Sequence, residues 1–135
     1  MPSKLRLQRI GDRIRQEISE MLVKQEIHDP RLFGSTITDV KVDRELAFAS
    51  IYVSAIEGQE RSKEILKGFE SASSFIRKML AERIELRTFP RLRFFWDPTP
   101  ERADRIEHLF AAIREEDETR PPNTYESAPE DNDSE

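Results

Sequence analysis

The fold is decided by two alternating stretches, Thr36-Ile37-Thr38-Asp39-Val40-Lys41-Val42 and Ala47-Phe48-Ala49-Ser50-Ile51-Tyr52-Val53-Ser54-Ala55. Both are rich in the β-branched residues that favour strands. In the first stretch the alternation puts Thr36, Thr38, Val40 and Val42 on one face, and in the second Ile51 and Val53 share a face. Because only a short polar link separates the two stretches, they are predicted to form an antiparallel hairpin.

Helices are predicted on both sides of this hairpin. Residues 4–25 place Ile10, Ile14 and Ile18 on one face at helical spacing, and Pro30 ends that segment. Helical periodicity returns over residues 59–86. The serine-rich run at 71–74 interrupts it, since serines compete for backbone hydrogen bonds and weaken a helix. We therefore expect either two helices or one kinked helix here.

A third strand and a last helix complete the predicted domain. Residues Leu92 to Trp96 follow Pro90 as the strand, and Thr99 is a candidate N-cap for a helix whose first residue is Pro100. The predicted order is α-β-β-α-α-β-α. A hairpin followed by a helical crossover gives a three-stranded mixed sheet with the helices on one face, which is an α+β fold.

Charge divides the 135 residues into two parts. Residues 115–135 carry nine acidic residues and one basic residue, and almost no apolar ones, whereas residues 1–114 have a net charge of +3. A segment with so little to bury cannot offset its ordering entropy. The chain is therefore predicted to be one globular domain, 1–114, followed by a disordered acidic tail, 115–135.

The sequence offers little for catalysis. It has no cysteine and no glycine-rich phosphate loop, and its two histidines lie eighty residues apart. Asp39 and Asp43 could hold Mg²⁺, but solvated charges at a strand end are the better interpretation of two carboxylates without a third ligand. With no apolar run near the ~20 residues that span a bilayer and no signal peptide, we expect a cytoplasmic, non-enzymatic protein without cofactor, metal or membrane.

Basic residues gather in two regions. Arg6, Arg9 and Arg13 share a helix face turned away from the isoleucine stripe, and residues 61–93 carry nine bases against four acids. Such clusters are typical of proteins that bind nucleic-acid phosphates, although a solvated helix face is the alternative. Among the aromatic residues, Phe94 and Trp96 are predicted to face the core, whereas Phe95 points the other way with Arg91 and Arg93.

Over residues 4–113 the chain resembles the ribosome-binding factor A family of bacterial small-subunit maturation factors. Short segments in the right order and spacing carry this resemblance: Arg9-Ile10-Gly11-Asp12-Arg13-Ile14, Asp29-Pro30-Arg31-Leu32, Thr36-Ile37-Thr38-Asp39-Val40, Ala49-Ser50-Ile51-Tyr52-Val53-Ser54, Ser74-Phe75-Ile76-Arg77-Lys78-Met79-Leu80 and Leu92-Arg93-Phe94-Phe95-Trp96-Asp97. The resemblance implies a type II KH-like domain. The family's Ala-x-Gly helix kink falls on Ala72, Ser73 and Ser74, so that a serine stands in place of the glycine.

The resemblance also implies a function. Similar proteins bind 16S rRNA on the free 30S subunit, assist late maturation and processing of precursor rRNA in ribosome biogenesis, matter most in the cold and are not catalytic. Ribosome-assembly GTPases are associated with their release, and we expect a monomer. The implied rRNA contacts are Lys4, Arg6, Arg9, Arg13, Arg77, Lys78, Arg83, Arg87 and Arg91. The alternative is a protein-interaction module that binds a ribosomal or translation protein without touching RNA.

Overall fold

The computed structural model describes residues 3–119, with three α-helices and three β-strands. In chain order these are α1 (Lys4–Val23), β1 (Ser35–Val42), β2 (Phe48–Ala55), α2 (Ser62–Arg83), β3 (Arg91–Trp96) and α3 (Thr99–Thr119). Two short 3₁₀ turns, Pro30–Leu32 and Gln59–Arg61, precede β1 and α2. The helix α3 begins one residue earlier than predicted, and the carboxylate of Asp97 accepts the amide of Thr99 at 2.9 Å.

The predicted mixed sheet is confirmed. Its strand order is β1-β2-β3, with β1 antiparallel and β3 parallel to the central strand β2. The helices α1 and α2 pack on the same face of this sheet, α1 over β1 and α2 over β3. Phe94 lies in the core as predicted, with its ring stacked on that of Phe69 at 5.0 Å between centroids.

The predicted alternation of β1 is wrong in its first half. The pairing with β2 shifts between Ile37 and Asp39, which is a β-bulge at Thr38. An extra residue in one strand reverses the faces of the residues before it. Ile37 is therefore buried with Val40, while Thr36 is exposed. The Thr38 hydroxyl lies 2.6 Å from the Asp97 carboxylate, to which it can donate, so the bulge connects β1 to the chain after β3.

Helical structure runs without a break through the serine-rich segment. Of the two predicted alternatives the structure has one helix, α2, whose 22 residues include Ala72, Ser73 and Ser74. Its buried face carries Ile65, Phe69, Ile76 and Leu80. Packing of this apolar face against the sheet outweighs the weak intrinsic preference of three serines for a helix.

The part of the chain after residue 100 forms a separate compact unit. Its helix α3 runs to Thr119, five residues beyond the predicted domain boundary at 114, and its predicted apolar stripe (Ile106, Leu109, Phe110, Ile113) is exposed. The rest of the predicted tail, 120–135, lies outside the described residues. None of the helices between residues 3 and 119 is long and apolar enough to cross a membrane.

The turn between α1 and β1 is held by an ion pair. Asp29 accepts a hydrogen bond from the Arg31 amide at 2.9 Å, and the Arg31 guanidinium donates to both of its carboxylate oxygens. These side-chain bonds, followed by the backbone bond, lower the pKa of Asp29 below its ordinary value of 3.8. The next residue, Leu32, is buried against Gly68 of α2, so this turn fixes the start of the sheet to the helix.

We expect the pairing of Asp29 to contribute stability that depends on pH. Because its folded-state pKa is lowered, the contribution is present above the ordinary pKa of 3.8 and is lost as the pH falls through the lowered value. The variant Asp29→Asn should therefore unfold at lower denaturant concentration than the wild type at pH 7, and the difference should shrink by pH 2. Asp12→Asn, on the exposed side of α1, is the control. Equal effects of the two substitutions at every pH would contradict the assignment.

Candidate nucleic-acid interface

The first basic group lies on the solvent side of α1. The helix buries Ile10, Ile14 and Ile18, so residues at 6, 9 and 13 face outward, and the amide of Arg6 is capped by Ser3 Oγ at 3.1 Å. Among the side chains described, which are those of residues 3–116, no carboxylate pairs with the exposed Lys4, Arg6 and Arg9. Unpaired exposed cations of this kind remain available for phosphates.

The basic residues of α1 approach the basic residues at the end of α2 at a junction between the two helices. Arg13 Nη2 donates to the backbone carbonyl of Arg83 at 3.2 Å, and Arg13 Nε donates to Glu17 at 3.0 Å. Arg83 lies 3.5 Å from the other oxygen of Glu17 and 2.9 Å from Glu26. The hydrogen bond to Glu26 is the main cause that raises the pKa of Arg83, and Glu17 adds to it. The main role of Arg83 is therefore structural, because it pairs with two carboxylates and links α1 to α2.

Arg77 also has an internal role. Its Nε donates to the carbonyl of Pro90 at 3.1 Å and its Nη2 to that of Phe89 at 2.6 Å. The side chain thereby fixes the loop that leads into β3. Arg77 lines a cleft together with Ser73, Ser74, Arg91 and Leu92. The cleft thus brings the serines of the expected kink beside two of the predicted RNA-binding arginines.

Three more of the predicted contacts are exposed. Lys78 on α2, Arg87 on the loop after α2 and Arg91 at the start of β3 have no ion pair with any carboxylate in the described part of the chain. The nine predicted contacts thus form two sets, according to whether the side chain already has a bonding partner within the protein. Lys4, Arg6, Arg9, Lys78, Arg87 and Arg91 are free to meet a ligand, whereas Arg13, Arg77 and Arg83 first stabilise the fold.

The carboxylates considered for metal binding support the hairpin. Asp43 Oδ1 accepts the amides of Ala47 at 2.7 Å and Phe48 at 3.1 Å, which closes the turn between β1 and β2. Asp39 Oδ1 accepts the amide of Val40 at 2.9 Å. Among the described side chains of residues 3–116 there is no group of three or more acidic or histidine side chains placed to hold a metal ion.

Sequence reasoning missed one structural arginine. Arg61 is the first of the basic residues in 61–93, but its guanidinium donates to the carbonyls of Phe33 at 2.6 Å and Arg31 at 2.8 Å and pairs with Glu57 and Glu64. It therefore closes the segment before β1 onto the start of α2. The acidic residues four before and three after it were the signal that could have indicated this role.

The order of elements, the mixed sheet and the two helices on one face define an α+β domain built on a three-stranded mixed sheet. The family model of ribosome-binding factor A matches residues 6–110. The chain belongs to the ribosome-binding factor A family.

Individual relatives agree with this assignment. The chain is 41% identical over 118 residues to ribosome-binding factor A of Alcanivorax borkumensis (strain ATCC 700651 / DSM 11573 / NCIMB 13689 / SK2), covering 86% of this chain and 85% of that protein. It is 34% identical over 122 residues to that of Aromatoleum aromaticum (strain DSM 19018 / LMG 30748 / EbN1), covering 90% and 95%.

One crystal structure and one fitted homology model share the fold. The crystal structure of ribosome-binding factor A from Thermus thermophilus has a TM-score of 0.57 and 27% identity, covering 65% of this chain and 91% of that one. A homology model of the Thermus thermophilus protein, fitted into the cryo-EM map of its complex with the 30S subunit, has a TM-score of 0.53 and 27% identity with the same coverage.

Proposed function

We propose that this protein binds 16S rRNA on free cytoplasmic 30S subunits and assists late maturation of the precursor rRNA without catalysing a reaction. It acts by favouring one conformation of the rRNA through differential affinity. Release through ribosome-assembly GTPases and action as a monomer belong to the same proposal. Membership of the ribosome-binding factor A family supports it, as does a relative that was fitted into a 30S complex.

The observation that carries the proposal is the junction of Arg13 with Arg83. It joins the end of α2 to the helix that displays Lys4, Arg6 and Arg9, so the basic residues of α1 lie near those at the end of α2. Exposed cations on both sides of this junction can meet successive phosphates of a folded RNA. Recognition of this kind depends on the path of the backbone, which differs between conformations of an rRNA.

We expect the double variant Arg6→Glu/Arg9→Glu to bind 30S subunits about tenfold or more weakly near 0.1 M salt, because two phosphate contacts become repulsive. Its plot of log affinity against log salt concentration should be shallower by roughly 2, about one for each lost contact. The measurement is co-sedimentation with purified 30S, 50S and 70S particles over a salt series. The wild type should migrate with 30S only.

The matched control is Arg102→Glu/Arg105→Glu on α3, which makes the same change of charge at exposed arginines that are not among the predicted contacts. It should sediment with 30S as the wild type does. Equal losses for the two double variants would indicate an effect of net charge alone. If the wild type does not bind 30S selectively, the proposed function is wrong.

One observation favours the alternative of a protein-interaction module. Val23 and Phe33 are 82% and 74% exposed and border a groove between α1 and β1 that Ile27 and Leu32 also line. Exposed apolar side chains around a groove can mark a protein-binding site. Crosslinking within the 30S complex separates the two functions: adducts of rRNA at Arg9 or Arg87 support RNA binding, and adducts to protein alone support the alternative.

A further inference from the structure

The face of the sheet turned away from α1 and α2 carries aromatic side chains on neighbouring strands. Phe48 and Tyr52 lie on β2, and Phe95 lies on β3 directly opposite Tyr52. The rings of Tyr52 and Phe95 stack at 5.6 Å between centroids with 29° between their planes. Phe95 remains 41% exposed. The neighbouring rings form an apolar patch that is partly open to solvent, and exposed patches of this kind mark interaction sites.

Cations surround these rings. The guanidinium of Arg93 lies over the Phe48 ring, 3.9 Å from its centroid, and Lys41 and Arg91 are exposed on the same face. The three strands present one outward carboxylate, that of Asp39, and it already accepts a backbone amide. The face therefore combines flat rings with a net positive charge, which complements the bases and phosphates of a nucleic acid.

We propose that this sheet face, defined by Phe48, Tyr52, Arg93 and Phe95, binds a single-stranded segment of RNA by stacking its bases. The open side of Phe95 takes one base, and the planar guanidinium of Arg93, held on Phe48, offers a second flat surface. Lys41 and Arg91 neutralise phosphates at the margins. In a duplex, bases stack on one another and hide their faces, so unpaired RNA is the form that fits.

This inference rests on the proposed function only in taking RNA as the ligand. It adds a second surface on the side of the sheet turned away from α1 and α2, where Arg91, one of the predicted contacts, also lies. The surface on α1 would follow the backbone of folded rRNA, whereas the sheet face would hold an unpaired strand. A protein with both surfaces would keep one rRNA segment single-stranded while it binds the backbone of a folded segment.

The test uses the full chain and two fluorescein-labelled probes of about ten nucleotides, within the range that one small domain covers. One is single-stranded oligouridine RNA, and the other has the same backbone with abasic spacers in place of the bases. By fluorescence anisotropy we expect tighter binding of oligouridine. The variant Phe95→Leu should weaken that binding about tenfold, in the range of one lost base stack, and should leave binding of the abasic probe unchanged.

Two further variants serve as controls for the effect of Phe95→Leu on RNA binding. Phe95→Trp keeps a ring and should retain the affinity for oligouridine, whereas Phe110→Leu, which changes an exposed phenylalanine of α3, should have no effect. Thermal unfolding of each variant checks that the fold persists. Ultraviolet crosslinking followed by mass spectrometry should place oligouridine adducts on Tyr52 or Phe95.

The proposal is overturned if folded Phe95→Leu binds oligouridine as the wild type does, or if the two probes bind equally. It is also overturned if this face crosslinks within the 30S complex only to a ribosomal protein. These results are independent of the proposed 30S function. Selective sedimentation with 30S and its dependence on Arg6 and Arg9 would persist if the sheet face bound no RNA.

Discussion

Replacement of Gly11 by alanine should destabilise the protein by about 2 kcal/mol, in the range of overpacked sites. Gly11 lies where α1 crosses β1, and a Cβ added there would stand 2.6 Å from the carbonyl oxygen of Val40. That oxygen belongs to the backbone of a paired strand, so it cannot turn aside as a side chain could. The helix would have to lift from the sheet, which would loosen the packing of Ile10 and Ile14.

The predicted change in stability has the opposite sign to the change expected from helix propensity. Alanine is favoured over glycine inside a helix by about 1 kcal/mol, so local preference alone predicts that Gly11→Ala stabilises the protein. Urea unfolding monitored by circular dichroism decides between the two. Gln16→Ala, at an exposed position of the same helix, should change stability by less than about 0.5 kcal/mol. A Gly11→Ala variant as stable as the wild type would contradict the close approach.

Much of the fold could be predicted because its signals are local. The isoleucine spacing of α1 and the alternation of β2 depend on one face of one element, and both are observed as predicted. The bulge at Thr38 could not be predicted, since a one-residue shift leaves β-branched residues available to either face. Its position depends on contacts with Tyr52 and Asp97, which are distant in the sequence.

The candidate site was predictable in location but not in the role of each side chain. A count of charges shows that residues 4–15 and 77–93 are basic. It cannot distinguish an arginine that is free to bind phosphate from one that already donates to a backbone carbonyl. Arg77 is separated by at least twelve residues from the carbonyls that it contacts, and Arg83 by 57 from Glu26. Only the folded chain brings these partners together, so only the structure separates the two kinds of arginine.

Because of this difference in roles, a substitution of Arg83 should lower the stability of the protein while it leaves most of the affinity for 30S subunits. Arg83→Met should lower the free energy of unfolding by more than substitution of an unpaired surface arginine does, because Arg83 lies 3.5 Å from Glu17 and 2.9 Å from Glu26. The carboxylates of Glu17 and Glu26 would both lose their shared cation, and Glu17 is only 12% exposed. Arg13 would remain as the only cation beside Glu17 among residues 3–119.

Arg87→Met is the matched control, because the exposed Arg87 has no ion pair in the described part of the chain. Its stability should stay within about 0.5 kcal/mol of the wild type, while its affinity for 30S subunits falls through the loss of a phosphate contact. Arg83→Met, tested at a temperature where it is folded, should keep most of that affinity. If both variants lose affinity equally and neither loses stability, Arg83 contacts RNA and the junction between α1 and α2 does not depend on it.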